Sequence, residues 1–100
     1  MSESTLFVFA RISPKEQHFR EAKQAIIDIL HQTREEPGCR QFELHENALE
    51  KSLFLYEEWE GEAALQEHYE KPYTAAVFEH YQDWLSSPVE VFKMQKCIAA

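Results

Sequence analysis

The chain has little of what phosphate, dinucleotide and nucleic-acid sites require. Its 100 residues contain two glycines, Gly38 and Gly61, which are too few for a loop that wraps a phosphate or a dinucleotide. It has 10 basic and 18 acidic residues, which give a net charge of -8. Nucleic acids and anionic membranes bind basic surfaces. We therefore predict neither as a partner, and we expect no nicotinamide or flavin cofactor.

Cysteine pairs and long apolar runs are also missing. Cys39 and Cys97 stand far apart and form no CxxC pair, and the five histidines form no HxH or HExxH motif. Metal sites usually show such spacings, so we predict none. No apolar run approaches the roughly 20 residues of a membrane-spanning helix, and no signal-peptide pattern is present. The sequence predicts a cytoplasmic protein with reduced thiols.

Alternating apolar residues, in contrast, are plentiful and predict four strands. Residues 5–12 and 52–60 carry apolar side chains on both faces, as central strands do. Residues 39–46 are apolar on one face only, which is typical of an edge strand. A fourth strand is predicted at residues 89–98.

Two helical regions separate these strands. Ser13-Pro14-Lys15-Glu16 has the pattern of a capping box, and it predicts a helix that runs to about Glu36 and is stopped by Pro37-Gly38. A second helical region opens near Glu62 and continues to residue 86, with a break or kink at Pro72.

The resulting order, βαββαβ, predicts an α+β, ferredoxin-like fold in a single domain over residues 1–100. Its four-stranded antiparallel sheet has helices on one face. The other face would expose Phe and Leu side chains, which a monomer tolerates poorly. We therefore predict a homodimer in which two sheets pack face to face and close a barrel.

Three polar or aromatic residues are candidates for catalysis. The helical period turns His68 toward the sheet, where it is either a hydrogen-bonded core residue or a base that burial keeps neutral. Trp59 is either core or a wall for a planar ligand, with its indole N–H free to donate. Glu57 shares the Trp59 face, and it could be a base, an anchor, or the ion-pair partner of Arg11 or Lys93.

Aromatic residues around these three suggest an apolar pocket. Each of them has plain core packing as the alternative role. The candidate substrate-binding residues are Tyr56, Tyr69, Tyr73, Phe78 and Tyr81.

A set of short motifs spans nearly the whole chain. Glu36-Pro37-Gly38-Cys39 precedes a strand, Leu55-Tyr56-Glu57-Glu58-Trp59-Glu60 ends one, and Ala63-Ala64-Leu65 is followed by His68 and Lys71-Pro72. Together they resemble the antibiotic biosynthesis monooxygenase domain. Members of that family are dimeric α+β barrels. They include cofactor-free monooxygenases of quinols and phenols, haem-degrading enzymes, and an isomerase of a phosphorylated signalling sugar.

The resemblance implies an aromatic small-molecule substrate, O₂ as co-substrate, and no cofactor. A base in the pocket removes a phenolic proton, and the resulting anion reduces O₂ directly. Trp59 and His68 match positions at which the family often has Trp and His. Tyr73 stands where a second His is frequent, and the first strand lacks the Asn of the haem-degrading branch. Two alternatives stay open: a sugar-phosphate isomerase, which would need cations such as Arg11, Arg40 and Lys93, and a non-enzymatic ligand-binding dimer.

Overall fold

The computed structural model describes residues 5–98 and has one antiparallel sheet with helices on one face. From one edge to the other, the strands are residues 39–47, 52–59, 6–12 and 90–94, so the first strand of the chain is central and the second lies at an edge, as predicted. This is the predicted α+β, ferredoxin-like arrangement. The elements are β1 (Leu6–Ile12), α1 (Phe19–Arg34), β2 (Cys39–Asn47), β3 (Ser52–Trp59), α2 (Glu62–Glu70), α3 (Pro72–Trp84) and β4 (Glu90–Met94).

The core lies between the sheet and the helices. Alternate residues of β1 point into it, and Val8 is fully buried while Ile12 is 1% exposed. In β3, Leu53, Leu55, Glu57 and Trp59 share this face, because their partners in β1 are the buried residues of that strand. The helices contribute Ala22, Ile26, Ile29, Leu65, Val77 and Tyr81.

The start of α1 differs from the prediction. The helix begins at Phe19, after a short 3₁₀ turn at Glu16–His18, and no side chain caps either element. The predicted capping box at Ser13 is therefore wrong. Its residues pair instead with the end of α3: Pro14 bridges Leu85, and the Lys15 N–H donates to the Trp84 carbonyl at 2.8 Å. A tertiary contact has replaced the local cap.

Pro72 divides the second helical region into two helices, as its ring requires. The preceding residue, Lys71, is extended (ψ 139°), because a following proline disfavours helical backbone. Pro72 then starts α3, where its missing N–H costs nothing. α2 is consequently a short, separate helix that carries His68.

β4 is shorter than predicted, ending at Met94 instead of residue 98. It runs antiparallel to β1, and Met94 pairs with Phe7, near the first residue of that strand. Beyond the Met94–Phe7 pair, β1 has only one further residue, Leu6, with which β4 could pair. Within residues 5–98, no helix is both long and apolar enough to cross a membrane.

The face of the sheet turned away from the helices, called here the open face, is aromatic. Phe9 stacks on Phe54 with ring centroids 5.7 Å apart, and Phe92 lies 6.4 Å from Phe9. Phe9 and Phe92 are 37% and 49% exposed. The apolar and aromatic members of the open face are Phe7, Phe9, Phe54, Tyr56, Phe92 and Met94, and Arg11, Glu58 and Glu90 lie on the same face.

Candidate functional site

His68 is held inside the core by a buried carboxylate. It lies on the inner side of α2 with Leu65 and is 4% exposed. Its Nδ1 is 2.9 Å from Oε2 of Glu36, and the two side chains are 5% and 6% exposed. A carboxylate can only accept, so Nδ1 carries the proton. Nε2 is then the nitrogen with a free lone pair.

Glu36 is the centre of a small hydrogen-bond network. The Tyr73 hydroxyl donates to the same Oε2 that accepts from His68. Thr74 Oγ1 lies 3.5 Å from His68 Nδ1. Glu36 sits just beyond the end of α1, and Tyr73 and Thr74 lie in the first turn of α3. Residues at the end of α1 and in the first turn of α3 therefore fix an imidazole ring that α2 carries.

Trp59 packs against His68 in the core. Its ring is fully buried, 4.8 Å from the His68 ring and 6.3 Å from that of Phe42, measured between centroids. Its Nε1–H donates to Glu57 Oε1 at 2.7 Å. Trp59 and Glu57 thus lie on the helix-covered face with His68. The indole N–H that the sequence suggested was free for a ligand is already taken.

Glu57 is a buried carboxyl group with an elevated pKa. It is 5% exposed, and burial raises its pKa to about 7, although the Trp59 N–H opposes the shift. The suggested ion pairs with Arg11 or Lys93 do not form. Arg11 instead pairs with Glu90 at 2.9 Å, and Lys93 with Glu62 at 2.8 Å.

Burial also decides the protonation of His68. Desolvation lowers its pKa, and this outweighs the Glu36 carboxylate, which acts in the opposite direction. The imidazole is therefore neutral near pH 7 and can accept a proton at Nε2.

Two adjoining spaces lie beside this cluster. A cleft of about 770 Å³ opens at the surface between α3 and β4, and it contains no Lys or Arg among its lining residues. Behind it is an inner cavity of about 40 Å³ that Glu57, His68 and Thr74 border. The two spaces share a wall made of Tyr69, Phe78, Tyr81, Val89 and Val91.

The predicted aromatic residues divide into two groups. Tyr69, Phe78 and Tyr81 line the cleft and the inner cavity, although the Tyr81 hydroxyl is already bonded to the Ala22 carbonyl at 2.7 Å. Tyr73 and Tyr56 line neither. Tyr73 holds Glu36, whereas Tyr56 lies on the open face and donates to Glu58 at 2.8 Å.

Glu36 and Thr74 were not predicted as site residues. Glu36 is 32 residues from His68 in sequence, and no periodicity links them. The sequence signal that could have identified Glu36 was its place in the Glu-Pro-Gly-Cys motif. This motif lies at a helix end, where a carboxylate has no local hydrogen-bond partner. Within residues 5–98, no three His, Cys, Asp or Glu side chains are grouped as a metal site would need.

Comparison with known proteins shows the family and the fold. A family model described as antibiotic biosynthesis monooxygenase matches residues 5–84. A Mycobacterium tuberculosis protein named "Putative monooxygenase Rv0793" is 34% identical over 89 residues, which are 88% of this chain and 87% of that protein. Its solved structure superposes with a TM-score of 0.88 at 28% identity, covering 94% of this chain and 96% of that one.

Two further matches extend the comparison. An uncharacterized protein of Synechocystis is 33% identical over 78 residues, 77% of this chain but 51% of its own length. The chain thus spans about half of that relative. PA3566 from Pseudomonas aeruginosa superposes with a TM-score of 0.89 at 19% identity, covering 97% of this chain and 98% of that one, and shares the fold.

Proposed function

Because the chain belongs to the antibiotic biosynthesis monooxygenase family, we propose that it is a monooxygenase of quinols or related phenols that needs no cofactor. The observation that carries this proposal is the environment of His68. This side chain is buried, neutral, and fixed by Glu36 so that one nitrogen is free to accept a proton, and it borders the inner cavity that adjoins the apolar cleft.

The cleft is the proposed substrate site. Its volume of about 770 Å³ falls in the range of small-molecule pockets, and its walls combine aromatic residues with valine, leucine and proline. An aromatic ring would lie against Tyr69 and Phe78. Its hydroxyl group would point past the residues that both spaces share, toward His68, either directly or through one water.

His68 then serves first as a base and later as an acid. Nε2 takes the hydroxyl proton, and the phenolate gives an electron to O₂ and forms a C–O bond at a ring carbon. The imidazolium returns its proton to the peroxide. The O–O bond breaks, one oxygen stays as a carbonyl, and hydroxide leaves with the displaced ring proton as water. His68 is neutral again at the end.

Glu36, Glu57 and Trp59 support this cycle in different ways. Glu36 keeps the proton on Nδ1 and stabilises the imidazolium by its charge, so it is a positioning residue. Glu57 faces the inner cavity and is a second candidate proton acceptor. Trp59 acts through the other two, because its N–H holds Glu57 and its ring packs on His68.

The two alternative functions receive less support. A sugar-phosphate isomerase needs cations, but neither the cleft nor the inner cavity has a lining Lys or Arg in the described part of the chain. A plain binding dimer would leave His68 packed with no space beside it. The inner cavity next to His68 favours the enzyme instead.

We propose further that residues 1–100 form one domain and that two copies associate through the open face. Phe9, Phe92 and Met94 are each more than a third exposed there, at 37%, 49% and 38%. Such a contiguous apolar face usually binds a partner. Pairing two open faces would place the cleft and His68 on the outer sides of the dimer. We also propose a cytoplasmic location.

The proposal is tested by O₂ uptake with chemically reduced quinols of different ring number. We expect uptake without added metal or flavin, and His68→Ala should lower kcat by about a hundredfold or more. His31→Ala is the matched control, because His31 pairs with Glu35 at 3.2 Å on the exposed side of α1. Equal kcat in His68→Ala and the parent protein would remove His68 as the base.

A further inference from the structure

The inner cavity has a polar end and an apolar end. Glu57 pairs with Val8 in the sheet, whereas Ala10 and Ile12 lie two and four residues farther along β1. At about 3.3 Å per residue, Ile12 is roughly 13 Å from the Glu57 position along the strand. His68 and Thr74 border the cavity near Glu57, while Ile26 and Ile29 cover it from α1.

The apolar end is formed by buried aliphatic side chains. Ala10, Ile12, Ile26 and Ile29 are 3%, 1%, 4% and 6% exposed, and Val77 is 7% exposed. Apolar cavity ends of this kind offer a water molecule no hydrogen-bond partner, in contrast to the end that Glu57, His68 and Thr74 border. They accept small apolar molecules such as xenon instead.

The volume restricts the occupant. About 40 Å³ exceeds the roughly 10–15 Å³ that a single water needs, but it cannot hold an aromatic ring. A diatomic molecule fits. Val91, which pairs with Ala10, belongs both to this cavity and to the cleft, so the apolar end adjoins the proposed substrate site.

We propose that the apolar end of the inner cavity is a binding site for O₂. It is separate from the cleft, which would hold the aromatic ring, and from the polar end, where His68 takes the hydroxyl proton. This assignment rests on the proposed monooxygenase function for its chemistry. The site itself, as a pocket for a small apolar gas, does not depend on turnover.

Xenon is the probe for the site, since it is apolar, of similar size, and visible in diffraction. Crystals pressurised with xenon should show a xenon atom among Ala10, Leu55 and Val77. An ordered water there, with no xenon at any pressure used, would overturn the proposal. This result would leave quinol-dependent O₂ uptake untouched, so the two proposals fail separately.

Two Val→Ile variants test the role in turnover. Val77→Ile adds one methylene to the cavity wall, whereas Val8→Ile adds it to β1 at a fully buried position outside both lining sets. We expect Val77→Ile to lower xenon occupancy and to raise KM for O₂ about threefold or more, with KM for the quinol unchanged. Val8→Ile should change neither constant.

The pair of variants also separates the site from general overpacking. Both variants are first compared with the parent protein by thermal unfolding. Equal KM values for O₂ in Val77→Ile and Val8→Ile, at matched stability and with reduced xenon occupancy in Val77→Ile, would show that the site binds gas but does not supply O₂. The proposal would then be wrong.

Discussion

At the scale of single residues, the site depends on one carboxylate that accepts from two side chains. Glu36 receives the Nδ1–H of His68 and the hydroxyl of Tyr73 on the same oxygen. Its charge is what makes the imidazole a better base, since it stabilises the protonated ring. The His31–Glu35 pair, by contrast, is 84% and 69% exposed, and solvent screens an ion pair at such a surface.

The first prediction concerns the charge of Glu36. Glu36→Gln keeps the shape but removes the anion, so the pKa of His68 should fall below its already lowered value. We expect kcat to drop at least about tenfold while KM for the quinol stays near that of the parent protein. Histidine NMR titration and steady-state kinetics measure the two effects.

Glu35→Gln is the control for that variant. It removes a carboxylate from an i,i+4 pair with His31 at the surface, and it should change neither the pKa of His68 nor kcat. Should Glu36→Gln leave both quantities at the parent values, Glu36 is not a positioning residue.

The second prediction concerns Glu57 and pH. The folded protein raises the pKa of Glu57 from 4.5 to about 7, so between these values the native state binds more protons than the unfolded state. Stability due to this group is therefore lost as pH rises through that window. Urea unfolding at pH 5 and pH 8 should show Glu57→Gln gaining about 2 to 3 kcal/mol on the parent protein.

His68 changes stability in the opposite direction, because its pKa is lowered. The contribution of His68 is common to the parent and Glu57→Gln, so the difference between the two proteins isolates Glu57. A difference that is the same at both pH values would mean that Glu57 is not protonated preferentially in the folded state.

The sequence predicted the inward residues of the site but not their partners. Alternation placed Glu57 and Trp59 on one face, and the helical period turned His68 toward the sheet. Which face the helices cover, and that Glu36 meets His68, are decided by chain packing between segments 32 residues apart. Local patterns carry no such information, so Tyr73 was assigned to the substrate instead of to Glu36.

At the scale of elements, α2 is positioned by a close approach to the start of β2. A Cβ built on Gly38 would lie 2.3 Å from the Cβ of Ala64, which is shorter than any ordinary contact. The Gly38 carbonyl also accepts from the Glu60 N–H at 2.7 Å. Gly38 therefore sets how near α2, and His68 with it, can come to the sheet.

The third prediction follows from this contact. Gly38→Ala should destabilise the fold by about 1 to 3 kcal/mol and lower kcat, since α2 must shift outward. Ala64→Gly should cost about 1 kcal/mol in the helix but relieve the clash when combined with Gly38→Ala. Thermal unfolding of the four proteins gives the coupling, and additive losses would show that the two residues do not meet.

The sequence predicted a strand or helix correctly where a single local pattern determined it. Period-two and helical patterns located every strand and helix, and Pro72 marked the break between α2 and α3. The errors fall where tertiary contacts compete with local signals. Pro14 and Lys15 pair with the end of α3 instead of capping α1. β4 stops near the place where its partner strand begins.

At the scale of the whole molecule, the open face is the feature that a single copy leaves unsatisfied. The fourth prediction is that Phe92→Glu shifts the proposed dimer to a monomer, because it places a charge among apolar rings. We expect the dissociation constant from sedimentation equilibrium to rise at least about a hundredfold. Far-ultraviolet circular dichroism should stay the same.

Leu49→Glu is the matched control for assembly. Leu49 is 95% exposed in the turn between β2 and β3, away from the open face, and its replacement should leave the dimer intact. A parent protein that sediments as a monomer at all concentrations would contradict the dimer itself.

The alternation of β3 has a consequence for how such a protein changes over generations. Leu55 and Glu57 face the helices and the inner cavity, Trp59 packs under the helices, and Phe54 and Tyr56 face the opposite side. A substitution in one set leaves the side chains of the other set unchanged. The proposed active site and the proposed dimer contact can therefore evolve separately along one strand. A single inserted or deleted residue would exchange the two sets at once. Lineages of this fold should therefore vary β3 by substitution and accept length changes in the neighbouring turn at residues 48–51.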